Sequence, residues 1–90
     1  MWIIAYDIRA DKDRQRVSNL LAKNGLRIQK SVFFLDGSPK QIGDLVRSAA
    51  DMIDLKHDCI NAWRLMPDWE AHQLAFPVES APLSEKFIVA

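Results

Sequence analysis

Apolar residues fall along this chain in short blocks that follow two different periods. Trp2-Ile3-Ile4-Ala5-Tyr6-Asp7-Ile8 is a nearly unbroken run rich in β-branched and aromatic side chains, the pattern of a central strand buried on both faces. Val17, Leu20 and Leu21 then recur at helical spacing. They predict a helix capped by Asp11 and stopped at Gly25, since glycine takes the left-handed conformation at low cost. From Arg27 to Leu35, the residues Ile28, Val32, Phe33, Phe34 and Leu35 supply strand formers. They make one long strand or two short ones broken near Lys30-Ser31, and periodicity leaves both open.

Asp36-Gly37 marks a turn, and Ser38-Pro39-Lys40-Gln41 places a capping serine, a proline at the first helical position and a glutamine three residues after the cap. A second helix follows, with Ile42, Leu45, Val46, Ala49, Met52 and Ile53 along one stripe, and Asp58 to Leu65 reads as a further strand. This order predicts an α+β fold, the ferredoxin-like βαββαβ sandwich, over residues 1–66. Residues 67–90 change in composition, punctuated by Pro67, Pro77 and Pro82, and end in a short strand candidate, Lys86-Phe87-Ile88-Val89. With the core complete, this additional C-terminal strand is expected to cover a sheet edge, its own or that of a partner subunit.

At 90 residues, a domain buries only about 60–65% of its unfolded surface, so self-association would help it. The 49% apolar and 27% charged content excludes intrinsic disorder. Twelve basic residues balance twelve acidic ones, but not evenly along the chain. Residues 1–47 hold nine Lys/Arg against five Asp/Glu, and residues 48–90 hold three against seven. An anionic partner is therefore sought in the first half. Cys59 stands alone, which rules out an intrachain disulfide and a cysteine metal cluster. With no charged leader and no apolar run near 18 residues, a cytoplasmic protein without a membrane partner is the expectation.

Asp7 is the first candidate for chemistry, because it interrupts the most apolar strand of the chain. A lone buried carboxylate is costly unless paired or metal-bound, whereas at the carboxyl end of a central strand it emerges where a ligand can reach it. The plainer reading, an aspartate that caps the next loop, stands beside it. Arg9, Arg14, Arg16, Arg27 and Lys30 lie around it in sequence and suit phosphate groups. Arg14 and Arg16, two apart on one helix, do not share a narrow face. Ser31 has no histidine or lysine near it in sequence that would make it a nucleophile. His57 and His72 follow no metal-ligand spacing, and Trp63 and Trp69 suit packing before base stacking.

Ile4-Ala5-Tyr6-Asp7-Ile8, followed by Asp11, Asp13 and Arg14 and then Val17, Leu20 and Leu21, resembles the opening of the CRISPR-associated Cas-two family. Asn24-Gly25-Leu26-Arg27-Ile28-Gln29-Lys30-Ser31-Val32-Phe33 is similar to that family's second signature. The resemblance spans about residues 1–66. It implies a ferredoxin-like homodimer and a metal-dependent endonuclease acting on RNA or DNA. It also implies a hub joining dimers of the Cas-one integrase during spacer acquisition. Asp7 matches the family's metal-binding, catalytic position, and Tyr6, Arg14, Arg16, Arg27 and Phe33 match positions near it. Lys30 and Ser31 are added as neighbours that support the site or bind nucleic acid.

One carboxylate per chain is too few for Mg²⁺, which prefers octahedral oxygen ligation. A two-fold dimer would bring Asp7 and its symmetry mate to one ion. Two such carboxylates repel without the ion, so metal binding and hydrolysis are expected to weaken as pH falls. Two other readings use the same residues. In one, the protein is a non-catalytic DNA-binding adaptor whose arginines and Lys30 contact phosphates. In the other, it is a toxin-like ribonuclease on the same fold.

Overall fold

The computed structural model describes residues 1–65 and 71–77. Seven elements follow in chain order: β1 (Trp2–Asp7), α1 (Asp11–Asn24), β2 (Leu26–Gln29), β3 (Val32–Leu35), α2 (Pro39–Ala50), β4 (Cys59–Leu65) and β5 (Ala71–Phe76). One sheet runs in the order β2-β3-β1-β4-β5 with every neighbouring pair antiparallel. The first four strands and two helices make the expected α+β, ferredoxin-like arrangement. The Arg27–Leu35 segment is two strands, broken at Lys30-Ser31, and the β2–β3 register shifts between Arg27 and Gln29.

The double burial expected of β1 is not what the sheet does. Trp2, Ile4 and Tyr6 are buried, Ile3 and Ala5 only half-buried, and Asp7 is exposed. Both helices pack on one face, where Val17 and Leu21 of α1 and Ile42, Val46 and Ala49 of α2 meet Trp2, Ile4, Phe33 and Ile60. The other face carries the half-buried Ile3, Phe34 and Trp63, which stand side by side in register. Leu26, opposite Phe34 and 66% exposed, extends this row to the edge. Alternation along each strand sends every second apolar residue to this side, which no helix among the described residues covers.

The helix ends differ from expectation at both ends of α1 and agree at the start of α2. Asp11 does not cap α1. The N-cap is Ala10 with no side-chain hydrogen bond, and Asp11 is the first helical residue, where it pairs with Arg14. Asp11 and Asp13 in the first turn still complement the helix dipole. Gly25 ends α1 in extended backbone, φ −163° and ψ −169°, and not in the left-handed region. Its glycine is required by close approach instead, because a Cβ there would overlap the Phe34 carbonyl oxygen and Leu35 Cγ. At α2 the capping box forms as read: Ser38 Oγ accepts from Gln41 N at 3.1 Å, and Gln41 Oε1 accepts from Ser38 N at 2.8 Å. Met52 and Ile53 fall beyond the end of α2, yet still pack against the core.

The strand candidate at residues 86–89 lies outside the described residues, as do Pro82 and Trp69. Within them, Ala71–Phe76 adds β5 to this chain's own sheet, paired with β4 from Ile60↔Phe76 to Leu65↔Ala71. Among the described residues no helix is long and apolar enough to cross a membrane.

Candidate active site at the end of the first strand

β1 delivers Asp7 to the carboxyl end of the central strand, opposite Cys59 of β4. Its side chain projects on the uncovered side of the sheet, alternate to the buried Tyr6 and Ile8. Among the described residues no basic side chain forms an ion pair with it. The exposed end of the strand thus resolves the cost of a carboxylate in an apolar run: Asp7 keeps its water.

A cleft of about 490 Å³ opens beside Asp7, between the start of α1 and the β2–β3 turn. Tyr6, Asp7, Arg14, Arg27, Lys30 and Ser31 all line it. Arg16 and Phe33 do not. Arg16 lies on another side of α1, where it approaches Asp13 at 3.9 Å, as the two-residue offset from Arg14 requires. Phe33 is fully buried and reaches the cleft only through its neighbours Tyr6 and Arg27. Its ring lies 6.3 Å from that of Tyr6, with an interplanar angle of 24°, and Arg27 Cζ sits 5.3 Å from its centroid.

The cations of the cleft are held to different degrees. Arg27 donates from Nη2 to Ser18 Oγ as it stacks on Phe33, so its guanidinium is fixed in place with donors to spare. Arg14 donates from Nη1 to the Ile8 carbonyl at 3.1 Å and from Nη2 to Asp11, which turns it inward to the protein. Lys30 is exposed, and its carbonyl accepts from the Tyr6 hydroxyl at 3.3 Å. Burial, and next the charge of Asp7, push the Cys59 thiol up from its ordinary value.

Gln15 and Ser18 also line the cleft and were not among the expected residues. Ser18 carried a signal: it is a polar residue beside Val17 on the apolar stripe of α1, and it is buried at 7% exposure. A buried hydroxyl needs a partner, and here that partner is Arg27.

The described residues of a single chain do not make a Mg²⁺ site. Among the described residues no three His, Cys, Asp or Glu side chains converge, and the second acid nearby, Asp58, has both oxygens occupied by backbone N–H groups. Asp7 alone offers one hard oxygen ligand group, which is the right chemistry for Mg²⁺ in half the number a shared site would use.

Known proteins match most of the chain. The family model for "CRISPR associated protein Cas2" matches residues 1–72. A Synechocystis sp. protein named CRISPR-associated endoribonuclease Cas2 2 is 35% identical over 65 residues, 71% of this chain and 70% of its own length. A Thermus thermophilus protein named CRISPR-associated endonuclease Cas2 2 is 35% identical over 63 residues, 70% of each. Among solved structures, Streptococcus pyogenes Cas2 at pH 6.5 superposes with a TM-score of 0.66 at 27% identity, covering 76% of this chain and 88% of that one. A hypothetical protein from Thermus thermophilus gives 0.67 at 34% identity, covering 72% and 79%.

Proposed function

The chain belongs to the CRISPR associated protein Cas2 family, and from that premise we propose that it is a homodimeric, Mg²⁺-dependent endonuclease hydrolysing RNA or DNA phosphodiesters. The same reading makes it a partner of Cas-one integrase dimers in spacer acquisition. The endonuclease and endoribonuclease names of its relatives support the reaction type. The observation that carries the reading is the placement of Asp7, exposed and without a cationic partner among the described residues, beside a cleft lined by Arg27 and Lys30.

The uncovered sheet face supports the dimer. Ile3, Phe34, Trp63 and Leu26 form an apolar row on the side from which Asp7 projects. A second copy packed on this face would exclude water from the row and bring two Asp7 carboxylates to one axis. The pair would be the ligands of the ion. When bound, Mg²⁺ supplies a polarised phosphate oxygen and an activated water. The chain's own residues do the rest. The braced guanidinium of Arg27 has unspent donors for phosphate oxygens, and Lys30 adds a mobile positive charge against the negative charge that develops there. Tyr6 and Phe33 fix the floor under Arg27 and keep its position.

The test compares wild type with Asp7→Ala on single-stranded RNA and duplex DNA, in Mg²⁺ and in EDTA, with the oligomeric state measured for both. The expected outcome is Mg²⁺-dependent cleavage by wild type and none by the variant at unchanged mass. Equal cleavage by both proteins would remove Asp7 from the reaction. The second reading, a DNA-binding adaptor without catalysis, draws on a specific observation: the described part of one chain holds no three-ligand cluster. It expects both proteins to bind duplex DNA and neither to cut it.

A further inference from the structure

We infer that Asp58 is a positioning residue for Asp7, holding the backbone that follows the reacting carboxylate; the assignment rests on the endonuclease reading above. Asp58 is only 4% exposed, so each of its oxygens needs a donor. Oδ1 accepts from Arg9 N at 2.9 Å and Oδ2 from Asp54 N at 3.1 Å. The two bonds do different things. The bond to Asp54 stays within the α2–β4 loop, which is already rounded by Asp58 N donating to the Asp54 carbonyl at 2.7 Å and Lys56 N donating to Asp54 Oδ1 at 3.0 Å. The bond to Arg9 spans 49 positions of sequence and lands two residues after Asp7.

The same turn is held from its other side. Arg14 Nη1 donates to the Ile8 carbonyl at 3.1 Å, and the Ile8 side chain is buried in the core. Ile8 and Arg9 are therefore pinned by a cation from α1, a carboxylate from the residue just before β4 and the apolar core between them. Asp7 is the last residue of β1 before this brace, and its register partner Cys59 is the neighbour of Asp58. A carboxylate at a strand end would swing with the loop that follows it. Here the loop is fixed by a residue that does not itself line the cleft. A displacement of about 1 Å at a reacting group can cost about 100-fold in rate, which sets the scale expected of Asp58.

The experiment measures steady-state cleavage by wild type, Asp58→Ala and Asp58→Asn in Mg²⁺, below the melting temperature of each, together with amide hydrogen exchange of residues 2–9. For Asp58→Ala we expect kcat to fall by about 100-fold with KM held within about 2-fold, and the Arg9 amide to exchange faster while Ile3–Ala5 stay protected. Asp58→Asn keeps one acceptor oxygen and should fall between the two; it also carries the test if the alanine variant does not fold. Wild-type kcat in a folded variant with an exposed Arg9 amide would overturn the assignment. So would a loss that comes with general deprotection of β1, which would make Asp58 a residue of overall stability. If wild type itself cuts nothing, the endonuclease reading fails and this assignment fails with it, whereas an active wild type with an equally active Asp58→Ala removes only the role of Asp58.

Discussion

The two faces of the sheet are built from the same strands and have opposite fates. On one, Trp2, Ile4, Phe33 and Ile60 meet two helices and are sealed to 1% exposure or less. On the other, Ile3, Phe34 and Trp63 are equally apolar, alternate with the first set and stay half-buried. The sealed face is complete within one chain and accounts for its folding. The second carries an apolar row that no described helix covers, and Asp7, the carboxylate that emerges beside it, joins no three-ligand cluster among the described residues. The two deficits, of cover and of ligands, lie on the same side of the molecule, and one partner would answer both.

Substitutions on the two faces should therefore separate stability from assembly. The largest effect is expected for Phe33→Ala on the sealed face, about 3–5 kcal/mol in urea unfolding, because Phe33 is fully buried and also carries Arg27. On the uncovered face Phe34→Glu, one residue away, should change the folding free energy by only about 1 kcal/mol yet give a monomer in sedimentation equilibrium. Cleavage should fall with the dimer. A dimeric Phe34→Glu protein would place the subunit contact elsewhere and separate Asp7 from it. The smallest effect concerns Cys59, whose thiol is raised by burial and then by the charge of Asp7. A raised thiol holds less thiolate at a given pH. Asp7→Asn removes the charge, so alkylation of Cys59 by iodoacetamide near pH 8 should quicken a few-fold, while burial keeps it slower than a free thiol.

How far the sequence revealed this molecule depended on whether a signal was local. The second helix was legible because Ser38, Pro39 and Gln41 carry their own hydrogen-bonding and steric instructions, and the element order gave the topology. The start of α1 is less legible: Asp11 has the chemistry of a cap, but it is the first helical residue and pairs with Arg14. The glycine at position 25 was correctly seen as an end and wrongly explained, since the close approach of Phe34 and Leu35 is a tertiary fact. β5 had no pattern of its own to find. Ala71-His72-Gln73-Leu74-Ala75-Phe76 lacks alternation, and its conformation comes from pairing with β4.

The candidate site divides the same way. Tyr6, Asp7, Arg14, Arg27, Lys30 and Ser31 were named together and do line one cleft. Arg16 and Phe33 stand outside its walls, one turned away on α1 and one sealed beneath. Asp58 was read only as the first residue of a strand. Its partner, Arg9, is 49 positions away, and no spacing rule joins a carboxylate to a backbone N–H at that distance.

The register shift in β2 has a consequence for what can add to this edge of the sheet. β2 is the last strand of the sheet on its side, wholly exposed along four residues, and such an edge is an open template for another chain's backbone. The shift between Arg27 and Gln29 breaks the even ladder that an incoming strand would have to match, and Arg27 and Lys30 set charge at the same place. Growth of an extended sheet along the β2 edge is thereby discouraged.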